Sequence, residues 1–332
     1  MALRFLVFSE LTAATWAGDT CQCESRRRVL LLTGGSGWDE GNVFEFDASS
    51  GRVEALNEQP LLDRRRGQLA GALAGAGVVV AGGDDADRRL PLFSEDGAHF
   101  GVVDQPRGAI GEMLHFARAQ AAAVVGRRFF VVGGEAGEKN KEVKTGACFS
   151  FDFETKLWRR EPSLPAGTGR FASCLGVKLS RMAAVGGRNA LYVIGGLTGM
   201  IDYYTAKATI YRLNTETSTW THEVAPGGVA GADRGRAGQI LVCGGQSVSS
   251  LGERSCELFD VAAGRSRLLR GRMTTRRSGA FGLVLVEGVV YAIGGDEQTP
   301  TVERLVDIDT GRLEKMDAQL PFALYNLAAV LF

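Results

Sequence analysis

Four arginines stand at comparable places along the chain, each ahead of a short apolar run, and their type and spacing favour anion binding. They are Arg66, Arg118, Arg170 and Arg277. A guanidinium binds a carboxylate through two parallel hydrogen bonds, so several guanidiniums around one opening favour an acidic ligand. In the alternative interpretation, each arginine pairs with a carboxylate of its own domain and only holds a loop in place.

Patterns typical of catalysis are weak in this sequence. There is no Gly-Lys dipeptide, which excludes a Walker phosphate-binding loop, and no serine stands in a nucleophile elbow. Three neighbouring carboxylates, Asp84, Asp85 and Asp87, are more typical of a solvated acidic loop than of a catalytic pair. We therefore predict no catalytic residue and no cofactor.

Metal-ligating residues are also sparse. Cys21 and Cys23 form a close pair, but a stable zinc site needs about four ligands, and no second cysteine or histidine pair follows. The three histidines, which lie in different parts of the chain, are His99, His115 and His222. We predict no metal site. The other cysteines lie in apolar runs, where we expect reduced and buried thiols: Cys148, Cys174, Cys243 and Cys256.

The composition is that of a folded chain with many turns. Of 332 residues, 45 are glycine and 45% are hydrophobic, and 38 basic residues balance 38 acidic ones. This balance gives no bulk signal for nucleic acid or for an anionic membrane. No apolar run approaches about 18 residues, and the run from Phe5 to Phe8 is too short for a signal-peptide core. We expect a monomeric, cytoplasmic protein.

The elements that carry the four arginines form a long-period repeat. A short apolar run ends in Gly-Gly six times, with the first glycine at 34, 82, 133, 195, 244 and 294. Each run is rich in β-branched and aromatic residues without alternation, which is typical of a strand covered on both faces. Two further strands, joined by a turn of Asp, Asn, Ser or Gly, and a fourth apolar strand complete each unit. No helical period occurs after residue 28.

This repeat resembles the kelch repeat. The resemblance rests on the Gly-Gly pair, an aromatic residue before it (Phe130, Tyr192, Tyr291), a tryptophan after the turn (Trp158, Trp220) and an arginine that opens the fourth strand. It implies an all-β fold: a six-bladed β-propeller of four-stranded antiparallel blades over residues 29–332, with residues 1–28 as an N-terminal extension or outer strand. The tryptophan is missing from four units and the second unit matches poorly, so we expect distorted blades there.

Ring closure is expected at the C-terminus. Residues 321–332 carry the fourth-strand pattern, but no Gly-Gly run follows them, whereas the first Gly-Gly run lacks such a strand before it. We therefore expect the C-terminal strand to pair into the first blade, which removes two open sheet edges. Residues 3–8 could fill the same position. Otherwise they would form an outer strand or a peripheral tail.

The loops after the Gly-Gly pairs and the segments that lead into the four arginines should share one rim, because the strands alternate in direction. Kelch domains that recruit acidic peptides use arginines at this position, so the resemblance implies a partner-binding role for Arg66, Arg118, Arg170 and Arg277. Tyr325 stands at the corresponding place in the closing segment. The post-glycine loops add large apolar side chains typical of interface anchors: Trp38, Met200, Tyr203 and Tyr204.

The predicted function is that of a non-enzymatic scaffold or adaptor. It would bind an acidic segment of another protein. It would bind neither nucleic acid nor a membrane. Two alternatives stay open. Some six-bladed kelch proteins with an arginine-lined mouth are sugar-acid mutarotases, a class that would need a general base such as Glu112, Glu161 or Asp296. A structural subunit of a larger assembly would leave the opening unused.

Overall fold

The computed structural model consists of β-strands that form six blades. It describes residues 5–9, 29–32, 42–56, 69–82, 91–103, 116–118, 121–136, 143–144, 146–165, 180–187, 189–198, 205–206, 209–224, 239–244, 253–261, 263–277, 281–287, 289–295, 300–321 and 327–332. No helix occurs within these ranges. We number the blades 1 to 6 by their Gly-Gly motifs and give the strands of each from the innermost to the outermost.

The first three blades have four strands each. Blade 1 consists of Ala328–Leu331, Val29–Leu32, Val43–Phe46 and Val53–Ala55. Blade 2 consists of Leu69–Leu73, Gly77–Ala81, Leu92–Ser94 and Gly101–Val102. Blade 3 consists of Ala121–Val125, Arg128–Val132, Cys148–Asp152 and Trp158–Glu161.

The other three blades repeat this arrangement. Blade 4 consists of Ser180–Gly186, Ala190–Thr198, Thr209–Asn214 and Thr219–Val224, and the short strand Thr205–Ala206 also pairs with Ala190–Thr198. Blade 5 consists of Phe5–Ser9, Gln239–Cys243, Glu253–Asp260 and Arg265–Arg277. Blade 6 consists of Gly282–Val286, Val289–Ile293, Thr301–Asp307 and Arg312–Gln319. A small separate sheet contains Val143–Lys144, Glu135–Ala136 and Phe116–Arg118.

The innermost strands contact one another in a closed cycle. The innermost strand of blade 1 contacts those of blades 2 and 6, and the contacts continue from blade 2 to 3, 3 to 4, 4 to 5 and 5 to 6. Neighbouring strands within each blade pair antiparallel. The predicted all-β, six-bladed propeller is therefore confirmed.

Both described ends of the chain supply innermost strands. Ala328–Leu331 pairs with Val29–Leu32 in blade 1, with Val330 opposite Leu30. Phe5–Ser9 pairs with Gln239–Cys243 in blade 5, which differs from the extension or outer strand expected for residues 1–28 and from the alternative position in blade 1. Any apolar strand can cover a free sheet edge, so the sequence of this short run does not specify which blade it joins.

Each second strand is buried on both faces, which explains its lack of alternation. In blade 1, Leu30 and Leu32 pack against blade 2, whereas Val29 and Leu31 pack against blade 6. Apolar clusters of the same kind lie between blades 2 and 3, 3 and 4, 4 and 5, and 5 and 6. Each large side chain buried in this way contributes about 1.5–3 kcal/mol. The core is thus divided among the interfaces between blades.

In five of the six blades the turns between third and outermost strands share one geometry, as their Asp, Asn, Ser and Gly content predicts. Asp152 accepts hydrogen bonds from the N–H groups of the residues two and three positions later, at 2.9 and 3.0 Å, and Asn214 does the same at 2.9 and 3.0 Å. The fourth residue after the Asp or Asn has a positive φ. Glycine fills this position in three blades, and the other two are Lys156 (φ 57°) and Ser218 (φ 55°).

Two of the six cysteines form a disulfide. Cys243 and Cys256 are directly opposite each other in blade 5, with Cα atoms 4.1 Å apart. The expectation of reduced thiols is wrong for this pair, because adjacent antiparallel strands bring the two Cα atoms together in a way that their spacing in sequence does not reveal. Cys148 is a free, buried thiol, and burial raises its pKa. Cys21, Cys23 and Cys174 lie outside the described residues.

Candidate functional site

One rim of the ring brings together the ends of the second strands and the beginnings of the innermost strands. Leu69, the first residue of its strand, lies opposite Ala81, and Ala121 lies opposite Val132. The partner residue is in each case the last one before a Gly-Gly pair. The chain leaves the second strand through a left-handed conformation that glycine adopts without strain, as at Gly133 (φ 64°).

Several of the predicted site residues stand in the chain just before an innermost strand begins, which is the position of this rim. Arg66, Arg118 and Tyr325 each stand three residues before the first residue of an innermost strand. Arg170 stands farther ahead of the innermost strand of blade 4, which begins at Ser180. Seven of the predicted residues lie outside the described residues and stay predictions: Trp38, Arg66, Arg170, Met200, Tyr203, Tyr204 and Tyr325.

The backbone of Arg118 lies next to a post-glycine loop. Arg118 ends the strand Phe116–Arg118, and its Cα partner is Glu135, the residue directly after Gly133-Gly134. Glu135 pairs in turn with Lys144, so three segments form one small sheet. In blade 3, the segment that leads to the innermost strand and the loop after the glycine pair are therefore hydrogen-bonded neighbours at the rim, as the strand directions predict.

Arg277 has a structural role: it pairs with a carboxylate of its own domain, which was the alternative interpretation of the four arginines. Its side chain is 0% exposed. Nη2 donates to Glu303 Oε1 at 2.8 Å and to Thr301 Oγ1 at 3.3 Å, and Nη1 donates to the carbonyl oxygen of Gly294. The residue ends the outermost strand of blade 5 and does not open the next innermost strand. A guanidinium enclosed in this way is not available to a partner, so the binding role predicted for Arg277 is corrected.

The carboxylate of Glu303 joins blades 5 and 6. It is 0% exposed, and besides Arg277 it accepts hydrogen bonds from the backbone N–H groups of Thr274 and Thr275 at 2.6 and 3.2 Å. Both N–H groups belong to an outermost strand, where backbone donors would otherwise lack a partner. Burying the two charges costs several kcal/mol, and these hydrogen bonds offset that cost.

Glu161, one of the candidate general bases, is held in an ion pair. Its Oε1 accepts hydrogen bonds from Arg128 Nη1 at 2.8 Å and from Ser150 Oγ at 2.6 Å. Arg128 also donates to the carbonyl oxygen of Thr215 at 2.9 Å, which ties blade 3 to blade 4. These contacts favour a structural role for Glu161. The other two candidates, Glu112 and Asp296, lie outside the described residues.

The described residues contain no cluster of three or more His, Cys, Asp or Glu side chains placed to hold a metal ion. His99 Nδ1 lies 2.6 Å from Asp96 Oδ2 in an exposed turn of blade 2. The side-chain hydrogen bond with His99 is the main interaction that holds the pKa of the Asp96 carboxyl well below its usual range. The described part of the chain also contains no helix that could cross a membrane.

A family comparison agrees with the fold. The Kelch motif model matches residues 178–223, which comprise the four strands of blade 4 almost completely. No curated protein matches the chain. The motif match in blade 4 and the ring of six blades together support a kelch-repeat β-propeller. In blade 4 the motif tryptophan, Trp220, donates from Nε1 to the carbonyl oxygen of Pro162 at 2.7 Å, so it links its blade to blade 3.

One charged surface was missed by the sequence analysis. The outermost strand of blade 5, Arg265–Arg277, has 13 residues, of which six are arginine and none is acidic. The signal was present in the sequence as arginines at alternate positions in a polar run. Arg277, at the end of this strand, fits the repeat pattern, whereas the row of arginines that precedes it has no counterpart in the other units.

Proposed function

We propose that this kelch propeller is a protein-interaction module that binds an acidic segment of a partner at the rim carrying the Gly-Gly pairs. Kelch propellers are commonly scaffolds for protein interaction and are mostly not enzymes. The proposed contacts are Arg66, Arg118 and Arg170, with large apolar side chains from neighbouring loops: Trp38, Met200, Tyr203, Tyr204 and Tyr325. Arg277 is not among them, because its guanidinium is buried.

The observation that carries the proposal is the closed cycle of innermost strands. A closed ring gathers the beginnings of its innermost strands around one opening, and Arg66 and Arg118 precede two such strands by the same three residues. The small sheet around Arg118 supports the same geometry. Guanidiniums that converge on one opening create a local positive potential although the net charge of the chain is zero.

The experiment compares the wild-type protein with the variant Arg66→Ala/Arg170→Ala as baits in affinity purification, followed by mass spectrometry. A matched control, Arg159→Ala/Arg265→Ala, removes two exposed arginines from outermost strands. Partners with an acidic stretch should be captured by the wild type and the control and be lost from the rim variant. Purified partner should then bind the rim variant at least tenfold more weakly, which corresponds to about 1.4 kcal/mol.

Two results would contradict the proposal. Identical partner sets for all three baits would mean that the rim arginines do not select a partner. Acceleration of sialic-acid anomer exchange by the purified wild type, and not by the rim variant, would assign the opening to an enzyme instead.

We also propose a cytoplasmic, monomeric protein, and the disulfide makes the location testable. Cytosolic thiols are kept reduced, so a cytoplasmic location requires the Cys243–Cys256 disulfide of the structure to be reduced in the cell. Both cysteines should then react with an alkylating reagent when the protein is extracted and unfolded without reductant. Recovery of the Cys243–Cys256 disulfide in rapidly quenched cells would instead place the protein in an oxidising compartment.

A further inference from the structure

The outermost strand of blade 5 has two different faces. Side chains alternate along Arg265–Arg277, and the odd-numbered face lies against blade 6, where Leu269 and Met273 join an apolar cluster and Arg277 is buried. On the even-numbered face, five successive positions from 268 to 276 are exposed: Leu268, Arg270, Arg272, Thr274 and Arg276. We call these five residues the blade 5 stripe.

The stripe carries three positive charges that form no ion pair with a carboxylate in the described part of the chain. Among the described residues, no carboxylate lies within ion-pair distance of Arg270, Arg272 or Arg276, whereas Arg267 on the other face pairs with Asp309 at 3.4 Å. On the neighbouring strand, Glu257 lies opposite Leu268 and accepts a hydrogen bond from Ser266 Oγ at 2.7 Å, and Glu253 lies opposite Arg277. Three exposed guanidiniums along one strand repel one another weakly through solvent, and an anionic ligand would relieve this repulsion.

The backbone of this strand is held in place by blade 6, so the stripe is a rigid surface. Gly271 N–H donates to the carbonyl oxygen of Thr310 at 2.6 Å, and Glu303 accepts from Thr274 and Thr275. These bonds occupy donors at the strand edge, which disfavours addition of a further strand there. A ligand would therefore contact the side chains of the stripe and not the backbone edge.

We propose that the blade 5 stripe is a docking surface for an extended acidic segment of a partner protein, distinct from the proposed rim contacts Arg66, Arg118 and Arg170. The pairing of this strand with Glu253–Asp260 is bulged between Leu268 and Arg272 and again between Arg272 and Arg277, so the three guanidiniums follow one another at uneven intervals. Several carboxylates along one extended, adaptable segment can meet Arg270, Arg272 and Arg276 in turn.

Charge complementarity and the other stripe residues favour a peptide over a nucleic acid. Single-stranded nucleic acids bind proteins through aromatic side chains on which their bases stack, and the stripe contains no aromatic residue. Its apolar member, Leu268, is 59% exposed and precedes the three arginines on the same strand. A leucine at the end of a basic row is suited to an acidic peptide with one apolar side chain at the matching end.

The test measures the fluorescence anisotropy of a labelled ten-residue peptide in which glutamate alternates with serine and which ends in leucine. The stripe variant is Arg270→Thr/Arg272→Thr/Arg276→Thr, since threonine suits an exposed strand. The control, Arg159→Thr/Arg265→Thr/Lys315→Thr, removes the same charge from exposed positions elsewhere, including the opposite face of the same strand. Circular dichroism and thermal melting establish that all three proteins fold equally well.

The peptide should bind the wild type at low ionic strength, and the Kd should rise about tenfold in the stripe variant and less than twofold in the control. The rim variant Arg66→Ala/Arg170→Ala should bind the peptide as tightly as the wild type does. The test of the stripe is therefore independent of the test of the proposed rim site. Absence of saturable binding, or equal losses in stripe variant and control, would overturn the inference. It would also be overturned if the rim variant alone lost the peptide, or if an oligothymidylate of equal charge bound the stripe more tightly.

Discussion

Arg276 and Arg277 are adjacent in the chain and have opposite environments. The side chain of Arg276 is exposed, whereas Arg277 is 0% exposed and paired with Glu303. The difference follows from strand alternation, because one residue faces solvent and the next faces blade 6. Residue type alone does not distinguish a binding arginine from a structural one, and position on the strand does.

This contrast gives a stability prediction. Arg277→Met should lower the free energy of unfolding by about 3 kcal/mol or more, because it leaves Glu303 buried without its counter-charge. Arg276→Met is the matched control, with an expected change within about 0.5 kcal/mol. Urea unfolding followed by tryptophan fluorescence measures both. Similar small losses in the two variants would mean that Arg277 and Glu303 are not a buried pair in solution.

A second residue-scale prediction concerns the two turns without glycine at the positive-φ position. Ser218→Gly should raise the free energy of unfolding by about 0.5 kcal/mol, since relief of left-handed strain exceeds the added chain entropy of glycine. Lys156→Gly should lower it, because Lys156 Nζ lies 3.7 Å from the centre of the Phe93 ring and donates to the Ala76 carbonyl oxygen at 3.3 Å. Shifts of the same sign in urea midpoints would contradict this account.

At the scale of elements, the outer turns make the fold sensitive to acid. Hydrogen bonds from nearby hydroxyl groups hold the pKa of two turn carboxyls below their usual value of 3.8. Ser49 and Ser50 donate to Asp47, and Thr310 donates to Asp307. Such groups contribute stability that is complete above the unfolded pKa and is lost as the pH falls through the folded pKa. The carboxyls are exposed, so each contribution is small.

The unfolding free energy should therefore decrease as the pH falls below about 4, and Asp47→Asn/Asp307→Asn should make that decrease shallower. Blade 4 already uses Asn214 at the equivalent turn position, so the asparagines should preserve the turns. Urea unfolding across a pH series measures the slope for wild type and variant. Parallel slopes would show that these carboxyls do not titrate differently in the folded and unfolded states.

At the scale of the whole molecule, the repeat accounts for what the sequence could predict. Six Gly-Gly runs without alternation predicted strands buried on both faces, and the ring of blades follows from that need for burial. Contacts between distant segments could not be predicted in this way. Pairing of Phe5–Ser9 with blade 5, the Cys243–Cys256 bond and the burial of Arg277 against Glu303 each depend on which segments the ring brings together.

Closure of the ring is tested most directly by cross-linking the C-terminal strand to the second strand of blade 1. Two variants are needed, Leu30→Cys/Val330→Cys and Leu31→Cys/Ala329→Cys, because successive antiparallel pairs alternate between close and wide Cα spacing. Mild oxidation of the folded protein, followed by peptide mass spectrometry, should find a disulfide between the introduced cysteines in at least one variant. If neither pair forms while circular dichroism retains the β-sheet signal, the blades do not close into a ring through this strand.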